Sequence, residues 1–330
     1  SMTDVAAPRG QEKRRISAVR LQYYIMEICL LVLVVALIFV APGFATADNL
    51  LNVLRSVSML GIVAFGMTAV IISSEIDLSV GAGIALAGCI AAYFVDAFSA
   101  SLGDVGSVIL GSLAAIAMCM LSGAITGLLK AAFNVPTFIT TLGLFTALRG
   151  MANLITDGFP LASFPSWFGF FGNGSWLGIP FPAFVFLLVF VGTYFLMGST
   201  TFGRSVYAVG GNAEAARLSG ISVGFVKTAT LVLTGALTGL SGLLIASQIG
   251  SGTGTTATGM ELDVIAATII GGTSLFGGKG RITGTLIGVL FLGCIGNGMT
   301  LMNVSEYWQY VVRGLLIVTA VLLNQILERK

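Results

Sequence analysis

Histidine is absent from this 330-residue chain. That removes the commonest general base and the commonest metal ligand, so hydrolytic or zinc chemistry is not expected. No catalytic and no metal-binding residue is assigned. Charge is scarce as well: 9% of residues are Asp, Glu, Lys or Arg, against about 25% in ordinary soluble domains. The four cysteines, Cys29, Cys89, Cys119 and Cys294, lie in apolar stretches without paired spacing. They imply neither a disulfide framework nor a metal site and read as small packing residues. A P-loop is also missing. Thr273–Gly280 reads TSLFGGKG, with Thr273 where the motif needs its first glycine and Gly280 where it needs Ser or Thr. The Gly250–Gly254 cluster lacks the third glycine of a dinucleotide fingerprint. No cofactor and no nucleic-acid partner are expected, and any ATP used is bound by another chain.

What the sequence has in quantity is apolar surface. It is 56% hydrophobic, with a mean hydropathy of +1.00, and several runs reach the roughly 20 residues that span a bilayer as a helix. This predicts an all-α polytopic membrane protein built as a single transmembrane domain over 1–330. About ten spans are expected, near 24–42, 55–73, 77–95, 106–129, 135–155, 181–199, 228–248, 261–276, 282–302 and 308–326. Some twenty polar residues precede the first run, with no convincing cleavage site after it, so it reads as a span and not a signal peptide. Ser1 ahead of Met2 reads as a cloning remnant.

Orientation follows from the cations. Arg9, Lys13, Arg14, Arg15, Arg20, Lys130, Arg204, Arg217, Lys227, Lys279, Arg281, Arg329 and Lys330 fall on one side of the ten-span layout. Asp48, Asp96, Asp104, Asp157 and Glu306 fall on the other. By the positive-inside rule both termini are cytoplasmic, with 1–20 a cytoplasmic tail. Arg55, Arg149 and Arg313 remain at or inside the outer parts of spans. The outer loop from Asp157 to Pro180 carries Trp167 and Trp176, which suits the membrane–water interface. No loop is long enough to be a domain, so a ligand-catching or work-supplying unit must be another chain.

Glycine supplies 44 residues, against an average of about 7%. Gly123-x-x-x-Gly127, Gly235-x-x-x-Gly239 and Gly284-x-x-x-Gly288 carry the spacing that lets helix backbones approach closely in lipid. Packing within one bundle is the expected use.

One loop, 200–227, contains a short polar helix between two spans. Asn212 is placed to cap it, Glu214 and Arg217 suit the positive and negative ends of its dipole, and Gly220 is placed to end it in a left-handed turn. Such an element suggests docking. At membrane depth, Glu75-Ile-Asp77-Leu-Ser79 opens one span from the cytoplasmic side and Glu261-Leu-Asp263 opens another from outside. Spans 2–5 and 7–10 then read as inverted repeats, a recurrent transporter architecture. Intramembrane carboxylates suggest function, although a helix N-terminal cap is the favoured reading of Asp77. Asn134, Thr137, Thr140, Thr141 and Gln248 are further candidates for a hydrophilic path or gate, a path suited to a neutral polar solute.

Four blocks together resemble the ribose/xylose-type ABC sugar-importer permeases. They are Ile76–Gly81 (IDLSVG), Asn134–Gly143 (NVPTFITTLG), Gly210–Ile221 (GGNAEAARLSGI) and Gly271–Gly280 (GGTSLFGGKG). The likeness runs from about Asn49 to the C-terminus. It implies an inner-membrane, multi-pass bacterial subunit that pairs with a second permease, identical or paralogous. It also implies a cytoplasmic ABC ATPase beneath and a periplasmic sugar-binding protein above. By the same resemblance Gly211, Asn212, Glu214, Ala215, Ala216, Arg217 and Gly220 form the coupling helix that rests on the ATPase. The cargo implied is a monosaccharide or small polyol. Ser74-Glu75 departs from the glycines many relatives carry there. The alternative is a stand-alone ion-coupled transporter using Glu75, Asp77, Glu261 and Asp263. An intramembrane enzyme is disfavoured, because no nucleophile–base pair is evident.

Overall fold

The computed structural model describes residues 24–328. The tail 1–20, with its five cations, and Arg329 and Lys330 lie outside the described residues. Helices follow one another in the order α1 (Ile25–Val40), α2 (Ala47–Ile72), α3 (Val80–Phe133), α4 (Thr137–Thr156), α5 (Phe170–Asn173), α6 (Phe181–Ser199), α7 (Thr201–Gly211), α8 (Ala213–Leu218), α9 (Val223–Ile249), α10 (Met260–Ile270), α11 (Ile282–Leu301) and α12 (Glu306–Glu328). A two-stranded hairpin, β1 (Ser175–Trp176) and β2 (Ile179–Pro180), lies in the loop with Trp167 and Trp176. Among the described residues seven helices are long and apolar enough to cross a membrane, and the chain is an all-α polytopic membrane protein.

The longest helix is two spans in one. At 54 residues α3 would run about 80 Å at 1.5 Å per residue, far beyond the ~30 Å hydrocarbon core. Gly103, at φ +73° and ψ 171°, breaks it. Only glycine adopts such backbone without strain. The second half then folds back on the first: Gly111 packs on Ala91, and the Cys119 thiol lies 3.5 Å from the Gly83 carbonyl.

Helix α2 is the hub. Ile62, Val63, Phe65, Met67, Val70, Ile71 and Ile72 are fully buried, as expected of a helix that is apolar all round. The apolar stretch of α12, by contrast, has no fully buried residue and only partly covers Leu316, Ile317 and Ala320 against the core.

The glycine spacings explain how the helices come together. Gly123 and Gly127 lie against the backbone at Leu231 and Thr228, while Gly235 and Gly239 lie against Cys119 and Ile116. The two motifs therefore face each other across the α3–α9 contact. Gly284 and Gly288 meet Gly271 and Ala267 in the same way across α10–α11. All three motifs are used inside one bundle.

One expected span needs correction. The segment 261–276 is not a full-length helix: α10 has 11 residues, about 16 Å, or half a bilayer core. The other half of the crossing is covered by the irregular stretch 250–259, which precedes α10. Gly252 packs on Gly88 and Ala257 approaches Gly81, so this stretch runs down two turns of α3. Irregular backbone at that depth is tolerated only where protein or a water-filled cavity surrounds it. The mirror image occurs after α2, where irregular residues 73–79 precede the N-terminus of α3. Consequently the N-termini of α3 and α10 meet, with Gly81 against the side chain of Glu261.

Candidate coupling and gating site

The polar loop helix forms as its caps dictate. Asn212, in extended backbone, accepts a hydrogen bond on Oδ1 from the Ala215 N–H at 3.0 Å. At the other end Gly220 takes φ +88°, and the Ile221 N–H reaches the Ala216 carbonyl at 3.0 Å, the 6→1 bond of a Schellman stop. Ala216 is the one buried residue of α8. Glu214 and Arg217 pair outward through two hydrogen bonds, 2.5 and 3.0 Å, with side chains 67% and 61% exposed. The hydrogen bond and charge of Arg217 hold the Glu214 carboxyl below its ordinary range and, reciprocally, raise Arg217. An exposed pair of this kind adds little to stability. Its charges are available to another surface.

Helix α8 is bolted to the core through the glycines before it. A side chain at Gly210 would overlap the Ile72 carbonyl, which already accepts from the Gly278 N–H at 2.8 Å. Ser74, at φ +68°, donates its hydroxyl to the Gly210 and Phe276 carbonyls, each at 3.0 Å. Tyr207 donates to the Gly280 carbonyl at 2.6 Å. Two of the four sequence blocks, 210–221 and 271–280, thus meet at the C-terminal end of α2 beside Ser74. Backbone–backbone approach is possible there because glycine supplies it.

The acidic residues divide into separate environments. Glu75 is buried and salt-bridged to Lys227 at 2.6 Å. Asp77 accepts from the Ser79 N–H at 2.8 Å and the Ser79 hydroxyl at 2.6 Å, so it braces the start of α3 from just outside the helix. The cap position itself is Ser79. Asp77 and Ser79 line a cavity of about 10 Å³ with Gly83, Cys119, Ser122 and Thr238. That volume holds about one water and is far too small for a sugar. Glu261 is buried at the second position of α10, with Oε2 unpartnered. Asp263 pairs with Arg313 at 3.1 Å.

The other path candidates do not form one polar face. Thr137 and Thr141 are buried, Thr137 donating to Glu75 and Thr141 to the Thr137 carbonyl. The Thr140 hydroxyl is buried without a partner. Asn134 ends α3 in the left-handed region. Gln248 lies at the far end of α9, exposed, its carbonyl accepting from Asn173. The outward face of α4 is apolar, with Phe138, Ile139 and Leu142 about half exposed.

Several functional candidates escape a sequence reading. Lys227, counted among loop cations, is 8% exposed and faces Glu75 across 152 positions. Lys130 lies 3.9 Å from the same carboxylate. Arg149 donates to the Gly254 and Thr256 carbonyls, stitching α4 to the irregular half of the eighth crossing. The only sequence signal for Arg149 and Arg313 is a lone cation inside an apolar span.

These features define the membrane-spanning component of a transport system. A family model described as branched-chain amino acid transport system / permease component matches residues 49–321, and the chain belongs to this family. It is 42% identical to the ribose import permease protein RbsC of Escherichia coli (strain K12), over 90% of this chain and 92% of that protein. It is 43% identical to RbsC of Bacillus subtilis (strain 168), over 90% of each. The L-arabinose transport system permease protein AraH of E. coli (strain K12) is 36% identical, over 92% of this chain and 90% of that protein. No solved structure matches the chain. As a permease subunit of an ABC importer, the chain implies an ATPase and a periplasmic binding protein as partners.

Proposed function

We propose that this chain passes a monosaccharide or similar polyol across the bacterial inner membrane, and that ATP is hydrolysed by a separate cytoplasmic subunit. The family description names amino acids, whereas most of the full-length relatives near 40% identity are named for ribose or arabinose. Whole-chain identity is the more specific guide to cargo, so sugar is preferred. One transmembrane domain comprises the chain, with 200–227 its coupling loop and two inverted repeats framing the pathway. A second permease, the same chain or a paralogue, completes that pathway.

The observation that carries this reading is α8. It is capped at both ends, carries an exposed ion pair, and is joined by glycine backbone to the break after α2. A groove in the ATPase would take Glu214 and Arg217, and closure of the ATPase dimer would move α8 and the gate above it. The ion-coupled alternative is weakened by geometry, because Glu75 and Asp263 already have basic partners.

Affinity purification from native membranes tests the partnership; an ATPase and a periplasmic binding protein are expected to co-purify. Charge reversal, Glu214→Arg or Arg217→Glu, is expected to leave insertion intact and to uncouple ATP hydrolysis from uptake. Wild-type uptake in both variants would remove α8 from this role.

A further inference from the structure

Glu75 holds together more of the molecule than its place in a seven-residue break suggests. Its Oε1 accepts from the Lys227 ammonium at 2.6 Å, with the Lys130 ammonium 3.9 Å away, and its Oε2 accepts from the Thr137 hydroxyl. Lys130 is in the last turn of α3, Thr137 begins α4 and Lys227 is in the second turn of α9. One carboxylate therefore ties the cytoplasmic ends of three helices to the break after α2. We propose that the Glu75–Lys227 pair is a latch closing the cytoplasmic end of the pathway, released when α8 is displaced. This inference rests on the reading of α8 as the ATPase-docking helix.

Three observations support a latch over a permanent staple. Both partners are attached to α8 by short routes. Ser74, the neighbour of Glu75, is hydrogen-bonded to the Gly210 carbonyl, and Lys227 lies seven residues beyond Gly220, which ends α8. Movement of α8 relative to the core thus acts on the two ends of the pair through different connections. Second, the carboxylate has an alternative partner. If α9 draws Lys227 away, Lys130 remains beside Glu75, so release does not strand an unpaired buried charge, the outcome that makes breaking most buried pairs so costly. Third, a buried ion pair is a poor choice for stability alone, since well-packed apolar residues often do as well, whereas a switch is its best-attested use. Two ammonium groups around one carboxylate provide two alternative pairings of the kind a two-state element requires.

The test is accessibility of a buried site one turn deeper than Thr137. Thr141 is fully buried. Thr141→Cys is introduced into a Cys29→Ser chain, removing the one exposed cysteine, and the importer is assembled with its ATPase in inside-out vesicles. A charged, membrane-impermeant methanethiosulfonate is then added to the cytoplasmic face, with the same chain lacking Thr141→Cys as the blank. Lys227→Met is expected to raise the labelling rate of the thiol introduced at position 141 at least about tenfold, since a population shift of that size needs only a fraction of a buried pair's strength. The conservative variant Lys227→Arg, which keeps the charge facing Glu75, is expected to keep labelling slow, which a merely structural loss of packing at this position would not allow. Slow labelling in Lys227→Met, or labelling in Lys227→Arg as fast as in Lys227→Met, overturns the latch. So does failure of Lys227→Met to assemble, which makes the pair a staple. If reversal at Glu214 and Arg217 leaves uptake normal while Lys227→Met still exposes the introduced thiol, the docking reading falls and the latch stands. The opposite pattern removes the latch alone.

Discussion

Gly210 and the carbonyl of Ile72 are in direct contact, so closely that no side chain fits between them. The contact joins the residue three places before the start of α8 to the last residue of the most buried span. Gly211, by contrast, has nothing within 4 Å of where its Cβ would be. Adjacent glycines in one motif thus have different tasks. Gly210→Ala is expected to push the loop off the core at a cost of about 1–3 kcal/mol, the usual range for overpacking. Uptake should fall and the co-purifying ATPase should diminish, while Gly211→Ala remains near wild type. Equal behaviour of the two variants in a pull-down would contradict the assigned contact.

The hydrogen bonds that Asp77 accepts from Ser79 can be tested separately from its charge. Asparagine keeps an acceptor at Oδ1 for the Ser79 N–H, and alanine does not. Asp77→Asn is expected to support uptake close to wild type. Asp77→Ala is expected to lose about 1–3 kcal/mol in thermal unfolding, the range for leaving a buried hydrogen-bond donor without its partner. Abolished uptake in Asp77→Asn with normal folding would show that the carboxylate's charge is required, and would revive ion coupling.

Arg313 and Asp263 form a partly exposed pair at the start of α10, and the Arg313 guanidinium also lies over the Tyr310 ring at 4.9 Å. Arg313→Met is expected to destabilise the purified subunit by about 1–3 kcal/mol, less than for a fully buried pair. Adding Asp263→Asn should recover part of that loss. Additive losses in thermal unfolding would mean that the two residues do not act as a pair.

The parts legible in the sequence are those governed by local physics. A cap acts within one helical turn, so Asn212 and Gly220 marked the ends of α8 without knowledge of anything distant. An apolar run long enough to cross lipid shows itself wherever it packs, and close-packing glycines show in their four-residue spacing. Family membership was legible for the same reason, in four short blocks.

Partnerships between blocks were not. Lys227 looks like a loop cation because its partner is 152 residues away and nothing near it in the chain is acidic. Thr137 and Thr141 look like part of a wet face. In a membrane protein, however, lipid and core are both apolar, so hydropathy does not say which side of α4 faces inward. The half-length of α10 was hidden because residues 250–259 precede it without being helical, and polar irregular backbone betrays its depth only through what packs around it. Composition and local pattern determined that this chain is a helical membrane permease with a short capped polar helix in one loop. Tertiary structure alone decided which charges meet, because pairing in a low-dielectric interior depends on distances of a few ångströms that sequence separation does not record.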